Sequence, residues 1–241
     1  MKIIDYFDRI YIIYMPERSD RFKHIKNQVH RLGIEKDNNK LVWFPGLKYE
    51  DAAGFPKASV RGCAMSHYMV MKQANEEGVE KLLVLEDDCL FSRRLIRNEQ
   101  EIVDELKSSA WDFVYLGHGS KIKHQQQNQG YFIKVAHNQK IPLTHFCAYH
   151  GRVMPDLIQM ITDSFDRAPG HPEGSPMGFD AYMTVFRRNN PDKITLMASR
   201  SLGGQCSSAS NLTPGQLEQY KLIKPILRQA RRLKNVIRSF E

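Results

Sequence analysis

Residues 81–91 read KLLVLEDDCLF. Four apolar residues, Leu82 to Leu85, run directly into Glu86, Asp87 and Asp88, and apolar sequence resumes at Cys89. A short continuous apolar run of this kind predicts a core strand of a parallel α/β sheet, covered on both faces. Three adjacent carboxylates repel one another and resist burial, so their position at the end of such a strand calls for a reason. In extended backbone, side chains alternate, so Glu86 and Asp88 are expected to point together and Asp87 away. Ligands of open α/β sheets gather beyond the carboxyl ends of the strands. Two carboxylates on one side are an oxygen-only donor set suited to a hard cation, Mg²⁺ or Mn²⁺. The same acids could instead cap the next helix or stand in solvent. Against that, Ser92 is the better cap, and three carboxylates exceed what one cap requires. The spacing of an EF-hand loop is missing.

The sequence on either side extends the pattern. Ile10 to Tyr14 predicts a strand stopped by Pro16. Ser19 is a candidate cap for a helix with Phe22, Ile25, Val29 and Leu32 on one face, ended by Gly33. Leu41–Phe44 predicts a strand, and Gly62 to Glu77 a helix with Cys63, His67, Val70 and Ala74 on one stripe. A third helix is expected from Ser92 to about Lys107, then a strand over Phe113–Leu116. This alternation predicts a mostly parallel sheet with helices on both faces. In the second half, strands are expected at Tyr131–Ala136, His145–Tyr149 and Ile194–Met197, and helices at Val153–Phe165 and Asp180–Arg188. The polar glutamine-rich stretch after Gly119 predicts a mobile loop.

Composition narrows the function classes. The chain has 241 residues, 41% of them hydrophobic, which suits a globular protein. No run reaches the roughly 18 apolar residues of a membrane span. The first residues carry Asp5 and Asp8 and no small-residue cleavage site, so they predict mature chain rather than a leader. Four cysteines lie far apart with no C-x-x-C pair, which favours a reducing, cytoplasmic setting and gives no spacing signal for zinc. The formal charge of +8 sits unevenly: the segment from Pro214 onward carries +5 of it. There Leu222, Ile226, Ala230, Leu233, Ile237 and Phe240 recur at helical spacing among lysines and arginines. Residues 1–213 are therefore expected to form one domain and 214–241 a basic amphipathic helical tail. Three readings of that tail stand open: an interfacial helix on anionic lipid at the cytoplasmic membrane face, a terminal helix packed on the sheet, or a recruiter of a nucleic-acid acceptor.

Other residues offer chemistry. Arg18 and Arg21 flank a predicted helix start, where a phosphate could be received; a solvated first turn is the alternative. Ser66 and His67 are neighbours on a helix, point about 100° apart and lack the G-x-S-x-G elbow, so they do not form a hydrolase pair. His67 on the apolar stripe reads as a hydrogen-bonded core histidine. The chain has no G-x-G-x-x-G and no Walker A sequence, which disfavours dinucleotide oxidoreductases and P-loop ATPases.

The ordered set IYIIYMPERSDRF (10–22), G-C-x-x-S-H (62–67), L-E-D-D (85–88) and WDFVYLG (111–117) resembles glycosyltransferase family 25, the lipopolysaccharide-type and collagen-type sugar transferases. Beyond residue 117 the resemblance rests on short segments, HFCAYHGRVM, GFDAYM and GGQCSS. The resemblance implies a GT-A-like fold and an inverting transfer of a hexose, most often galactose, from a UDP-sugar to an acceptor hydroxyl. That hydroxyl would lie on a lipopolysaccharide-type glycan, or alternatively on a protein or nucleic acid. It implies Glu86 and Asp88 as ligands of Mn²⁺ or Mg²⁺. Arg18, Arg21, Ser66, His67, Glu86, Asp87, Gln205 and Ser207 would lie around the donor. Asp180 is the implied base; as an acid at a helix start it could equally serve the macrodipole. Two rivals remain, a metal-dependent phosphohydrolase or phosphotransferase and a non-catalytic basic binding module of the same fold.

Overall fold

The computed structural model describes residues 1–35, 38–120 and 130–206. The predicted tail over 214–241, the centre of the glutamine-rich loop and Ser207 lie outside the described residues.

Nine strands and seven helices follow in the order α1 (Ile3–Tyr6), β1 (Arg9–Tyr14), α2 (Ser19–Arg31), β2 (Leu41–Pro45), α3 (Ala58–Glu76), β3 (Lys81–Glu86), β4 (Cys89–Phe91), α4 (Arg93–Arg97), α5 (Glu99–Ser108), β5 (Phe113–Gly117), β6 (Phe132–Val135), β7 (Phe146–His150), α6 (Met154–Ser164), α7 (Phe179–Asn189), β8 (Thr195–Ala198) and β9 (Gly203–Gln205) among the described residues. Seven strands form one sheet in the order β2-β1-β3-β7-β5-β8-β6, and β4 pairs with β9 in a separate ribbon. Strands β1, β2, β3, β5 and β8 run one way; β7 and β6 run against them. The sheet is thus mostly parallel, as expected.

Both faces are covered, which explains the uninterrupted apolar strands. On one face Ile10, Ile12, Leu83 and Leu85 pack with Ile25 and Val29 of α2 and Ile102, Val103 and Leu106 of α5. On the other, Tyr11, Ile13, Leu82 and Val84 pack with Val70, Met71 and Ala74 of α3 and with α6 and α7. The alternate residues of β1 and β3 therefore serve opposite cores, and each fully buried Leu contributes about 1.5–3 kcal/mol.

Several expectations need correction. The helix expected from Ser92 to Lys107 is two helices. Ser92 does cap the first, accepting from the Leu95 N–H at 3.1 Å. Asn98 then breaks the run at φ −123°, closing α4 and opening α5, and its side-chain amide donates to the Arg94 carbonyl at 2.8 Å. Ser19 is not a cap: Arg18 holds that position, without a side-chain capping bond. Helix α3 starts at Ala58, a turn before Gly62. The region from residue 151 opens with a 3-10 turn at Gly151–Val153, and Pro155 sits in the first turn of α6, where its missing N–H costs nothing.

Candidate active site

The site begins where β3 ends. Glu86 is its last residue, and Asp87 and Asp88 form the turn into β4. The backbone is not extended across 86–88, so alternation does not govern where the three carboxylates point. The turn is fixed by β9: the Cys206 N–H donates to the Asp88 carbonyl at 2.7 Å, and Cys89 pairs with Gln205. Strand ends and ribbon thus bring Gln205 beside the acidic turn, although these residues are more than a hundred positions apart.

Each carboxylate has a distinct environment. Asp87 accepts from the Met15 N–H at 3.0 Å and from Arg21 Nη1 at 3.1 Å. Burial raises its pKa all the same, with those two partners pulling the other way. Arg21 Nη1 also reaches Asp88 Oδ2 at 3.3 Å. Asp88 Oδ1 is buried with no partner among the described residues. Burial, followed by the nearby charge of Glu86, pushes the Asp88 carboxyl up to about 7. Glu86 accepts from His67 Nε2 at 3.2 Å. Burial pushes its carboxyl up, but the His67 hydrogen bond and the charges of His67, His145 and Arg21 win, and it is held below the usual range.

Helix α3 supplies a second wall. Gly62 lies against the Leu47 carbonyl, where an added Cβ would stand 2.5 Å from the oxygen. Ser66 Oγ donates to the Gly62 carbonyl at 2.7 Å and accepts from the Leu47 N–H at 2.8 Å. Its hydroxyl therefore fastens α3 to the chain after β2 rather than facing open space. One residue on, His67 is fully buried, as its place on the stripe predicted, and stacks on Phe179 with ring centroids 4.3 Å apart. Cys63, one turn earlier, joins His67 and Glu86: one ligand atom from each lies within 4.8 Å of the others. Burial, then the charge of Glu86, raises the Cys63 thiol well above its ordinary pKa.

The remaining expected residues divide. Arg18 makes two 3.0 Å bonds to Asp20, so the two arginines at the start of α2 have different partners. Asp180 lies exposed in the first turn of α7, its Oδ1 accepting from the Ala181 N–H at 2.9 Å. Phe179, its neighbour, seats that turn on His67 and so brings Asp180 to the α3 side of the site. His145 is a residue that the sequence did not single out. It is fully buried, its carbonyl accepts the Glu86 N–H at 2.9 Å, and its Nε2 faces the Gly203 carbonyl at 3.2 Å. The one available signal was a histidine immediately before a buried strand.

The donor set fits a hard cation at Asp88: a carboxylate oxygen without a partner stands beside a second carboxylate whose charge it resists. A divalent ion would satisfy the oxygen and remove the repulsion. Among the described residues, no helix is long and apolar enough to cross a membrane.

Comparison with known proteins agrees with the sequence resemblance. Residues 58–161 match the family model of glycosyltransferase family 25 (LPS biosynthesis protein). Over 129 residues the chain is 30% identical to procollagen galactosyltransferase 1-B of Xenopus laevis, covering 46% of this chain and 21% of that protein. Over 130 residues it is 22% identical to inactive glycosyltransferase 25 family member 3 of Mus musculus, covering 46% and 22%. The match thus spans about a fifth of the length of these curated relatives. A solved glycosyltransferase involved in the glycosylation of the major capsid of PBCV-1 aligns over 84% of this chain and 94% of that one, at 11% identity and a TM-score of 0.48. The segment of similarity, residues 58–161, takes in α3, the Glu86–Asp88 turn and the strands β5 and β7.

Proposed function

We propose that the chain is an inverting glycosyltransferase that moves a hexose, galactose in the first instance, from a UDP-sugar to an acceptor hydroxyl. The observation that carries the reading is the buried acidic turn after β3, with an Asp88 oxygen that has no partner among the described residues, inside the stretch that matches the family 25 model. Asp88 and Glu86 would hold Mn²⁺ or Mg²⁺. Bound there, the ion would offset the negative charge that grows on the departing nucleoside diphosphate. Arg21 positions the turn by binding Asp87 and Asp88 together, and Asp87 ties it to the backbone after β1. The first turn of α2, with Arg18 at its start, offers N–H groups to a phosphate. Asp180, exposed on the α3 side, is the group to take the proton of the attacking hydroxyl.

The acceptor is a glycan of the lipopolysaccharide type or a protein side chain. The family description favours the first, and the procollagen galactosyltransferase relatives favour the second. The tail at 214–241 would hold the enzyme on anionic lipid at the cytoplasmic face. The competing reading, a non-catalytic relative, draws on the inactive family member among the similar proteins.

The test is calorimetric titration of UDP and UDP-galactose into wild type and Asp88→Asn, each with and without Mn²⁺, together with donor-hydrolysis assays over a panel of nucleotide sugars. Wild type should bind the nucleotide only with the metal, and Asp88→Asn should lose that binding while melting as a folded protein. Absence of metal-dependent nucleotide binding by wild type would overturn the transferase reading.

A further inference from the structure

We infer that Cys63, His67 and Glu86 form a second cation site of a different chemical class, one that takes a borderline transition metal such as Zn²⁺. Sulfur, imidazole nitrogen and a single carboxylate oxygen are the donor mixture of zinc, whereas Mg²⁺ and Mn²⁺ prefer oxygen alone. Cys63 and His67 stand four residues apart on α3, the spacing that brings two side chains to one helix face. The carboxylate comes from the end of β3. The ligand atoms lie within 4.8 Å of one another. A tetrahedral ion with bonds of about 2.0–2.3 Å spaces its ligands about 3.5 Å apart, so closure requires movement of about an ångström.

Two features make the cluster more than three neighbours. His67 is fully buried, and its Nε2 faces Glu86 Oε1 at 3.2 Å. Its ring is also fixed, stacked on Phe179 with the planes 13° apart, and the helix that carries it is pinned by Gly62 and Ser66 against Leu47. A buried imidazole held rigidly with Nε2 aimed at a carboxylate oxygen is already oriented for an ion that would sit between them. Cys63 is only half-buried, which leaves a way in for the ion and room for a water as fourth ligand. On binding, the Cys63 thiol gives up its proton to solvent and the sulfur bonds the ion as thiolate, while His67 ligates through Nε2 as the neutral ring with its proton on Nδ1.

Glu86 is common to this triad and to the proposed Mn²⁺ site, but thiolate coordination does not depend on the glycosyl-transfer reading and is read without any turnover. The experiment is a Co²⁺ titration of the metal-stripped full-length protein, followed in the near ultraviolet for the thiolate-to-cobalt charge-transfer band. One equivalent of Co²⁺ should raise the band, and Zn²⁺ should abolish it by displacement. The band should vanish in Cys63→Ser and persist in Asp88→Asn, which changes only the oxygen site. His67→Gln should weaken Co²⁺ binding by about tenfold or more, since loss even of an outer-shell partner costs about 10–100-fold. Far-ultraviolet circular dichroism checks that each variant is folded. No thiolate band in wild type, or a band of wild-type strength in folded Cys63→Ser, would refute the site. The latter would assign the thiolate to Cys89, Cys147 or Cys206. Either result would leave Mn²⁺-dependent nucleotide binding intact as a separate question.

Discussion

Arg21 Nη1 donates to Asp87 Oδ1 at 3.1 Å across 66 positions of sequence, and the same nitrogen lies 3.3 Å from Asp88 Oδ2. Both carboxylates are buried, with side chains no more than 10% exposed. One guanidinium thus bridges α2 to the turn after β3. Removing it leaves the buried Asp87 and Asp88 carboxylates without this partner, and breaking a buried ion pair typically costs about 3–5 kcal/mol. Arg21→Ala should therefore lower unfolding free energy by that order at pH 7.5 in denaturant titration. A loss no larger than that of an exposed ion pair, under about 1 kcal/mol, would mean the turn is held by other contacts.

Gly62 and Ser66 carry a related expectation for α3. A Cβ at residue 62 would meet the Leu47 carbonyl oxygen at 2.5 Å, and that oxygen belongs to backbone that cannot rotate away. Gly62→Ala should destabilise by about 1–3 kcal/mol through overpacking. Ser66→Ala should cost about 0.5–1.5 kcal/mol, because the part-buried Leu47 N–H loses its 2.8 Å acceptor. The two share one contact, so the double variant should fall short of the sum. Thermal melts of the three variants would measure this.

These contacts mark what the sequence could and could not reveal. Leu82–Leu85 was legible as a core strand because burial on both faces leaves no polar position in the run. Ser92 was legible as a cap because its hydroxyl acts three residues away. The turn at Asp87–Asp88 was not, and with it failed the argument from alternation. What bends the chain there is the ladder to Gly203–Gln205, a pairing that no local pattern encodes. The antiparallel direction of β6 and β7 was hidden for the same reason: strand propensity carries no direction. His67 could be assigned to the core from its stripe, but its partner Glu86 lies on another element. The partners of Arg21 and the burial of His145 depend in the same way on long-range packing.

Acid sensitivity should trace in part to His118. Its Nε2 faces the Ala198 carbonyl at 2.9 Å, and its Nδ1 accepts from the Ser120 N–H at 3.2 Å, which fixes a neutral ring. Burial holds its pKa below the ordinary 6.5, against the opposing pull of the Ala198 and Ser120 bonds. Below about pH 6.5 the unfolded chain takes up a proton that the folded chain refuses. Stability therefore rises with pH through this window and is lost as pH falls. His24 and His145 are lowered by burial too, so His118→Gln should flatten the stability-against-pH curve between about pH 5 and 7 without abolishing the slope. Denaturant midpoints at matched ionic strength would record it; an unchanged slope would show that His118 accepts its proton in the folded state.

Asp180 separates two roles that its position allows. Its Oδ1 accepts from the Ala181 N–H at 2.9 Å in the first turn of α7, where an acid favours the helix macrodipole by about 0.3–1 kcal/mol. If that is its whole role, Asp180→Asn should cost a few tenths of a kcal/mol in stability and leave turnover alone. Its exposure and its seat beside Phe179 and His67 fit instead the base that receives the acceptor proton. On that role Asp180→Asn should lower kcat by about 10²–10⁴-fold, with donor KM and melting temperature close to wild type, since the amide keeps the size and one acceptor oxygen. Donor hydrolysis to water should fall along with transfer, because the water that attacks must also lose a proton. Steady-state kinetics on the Asn variant beside its thermal melt therefore decides between the two: wild-type kcat with a slightly lower melting temperature removes Asp180 from the chemistry.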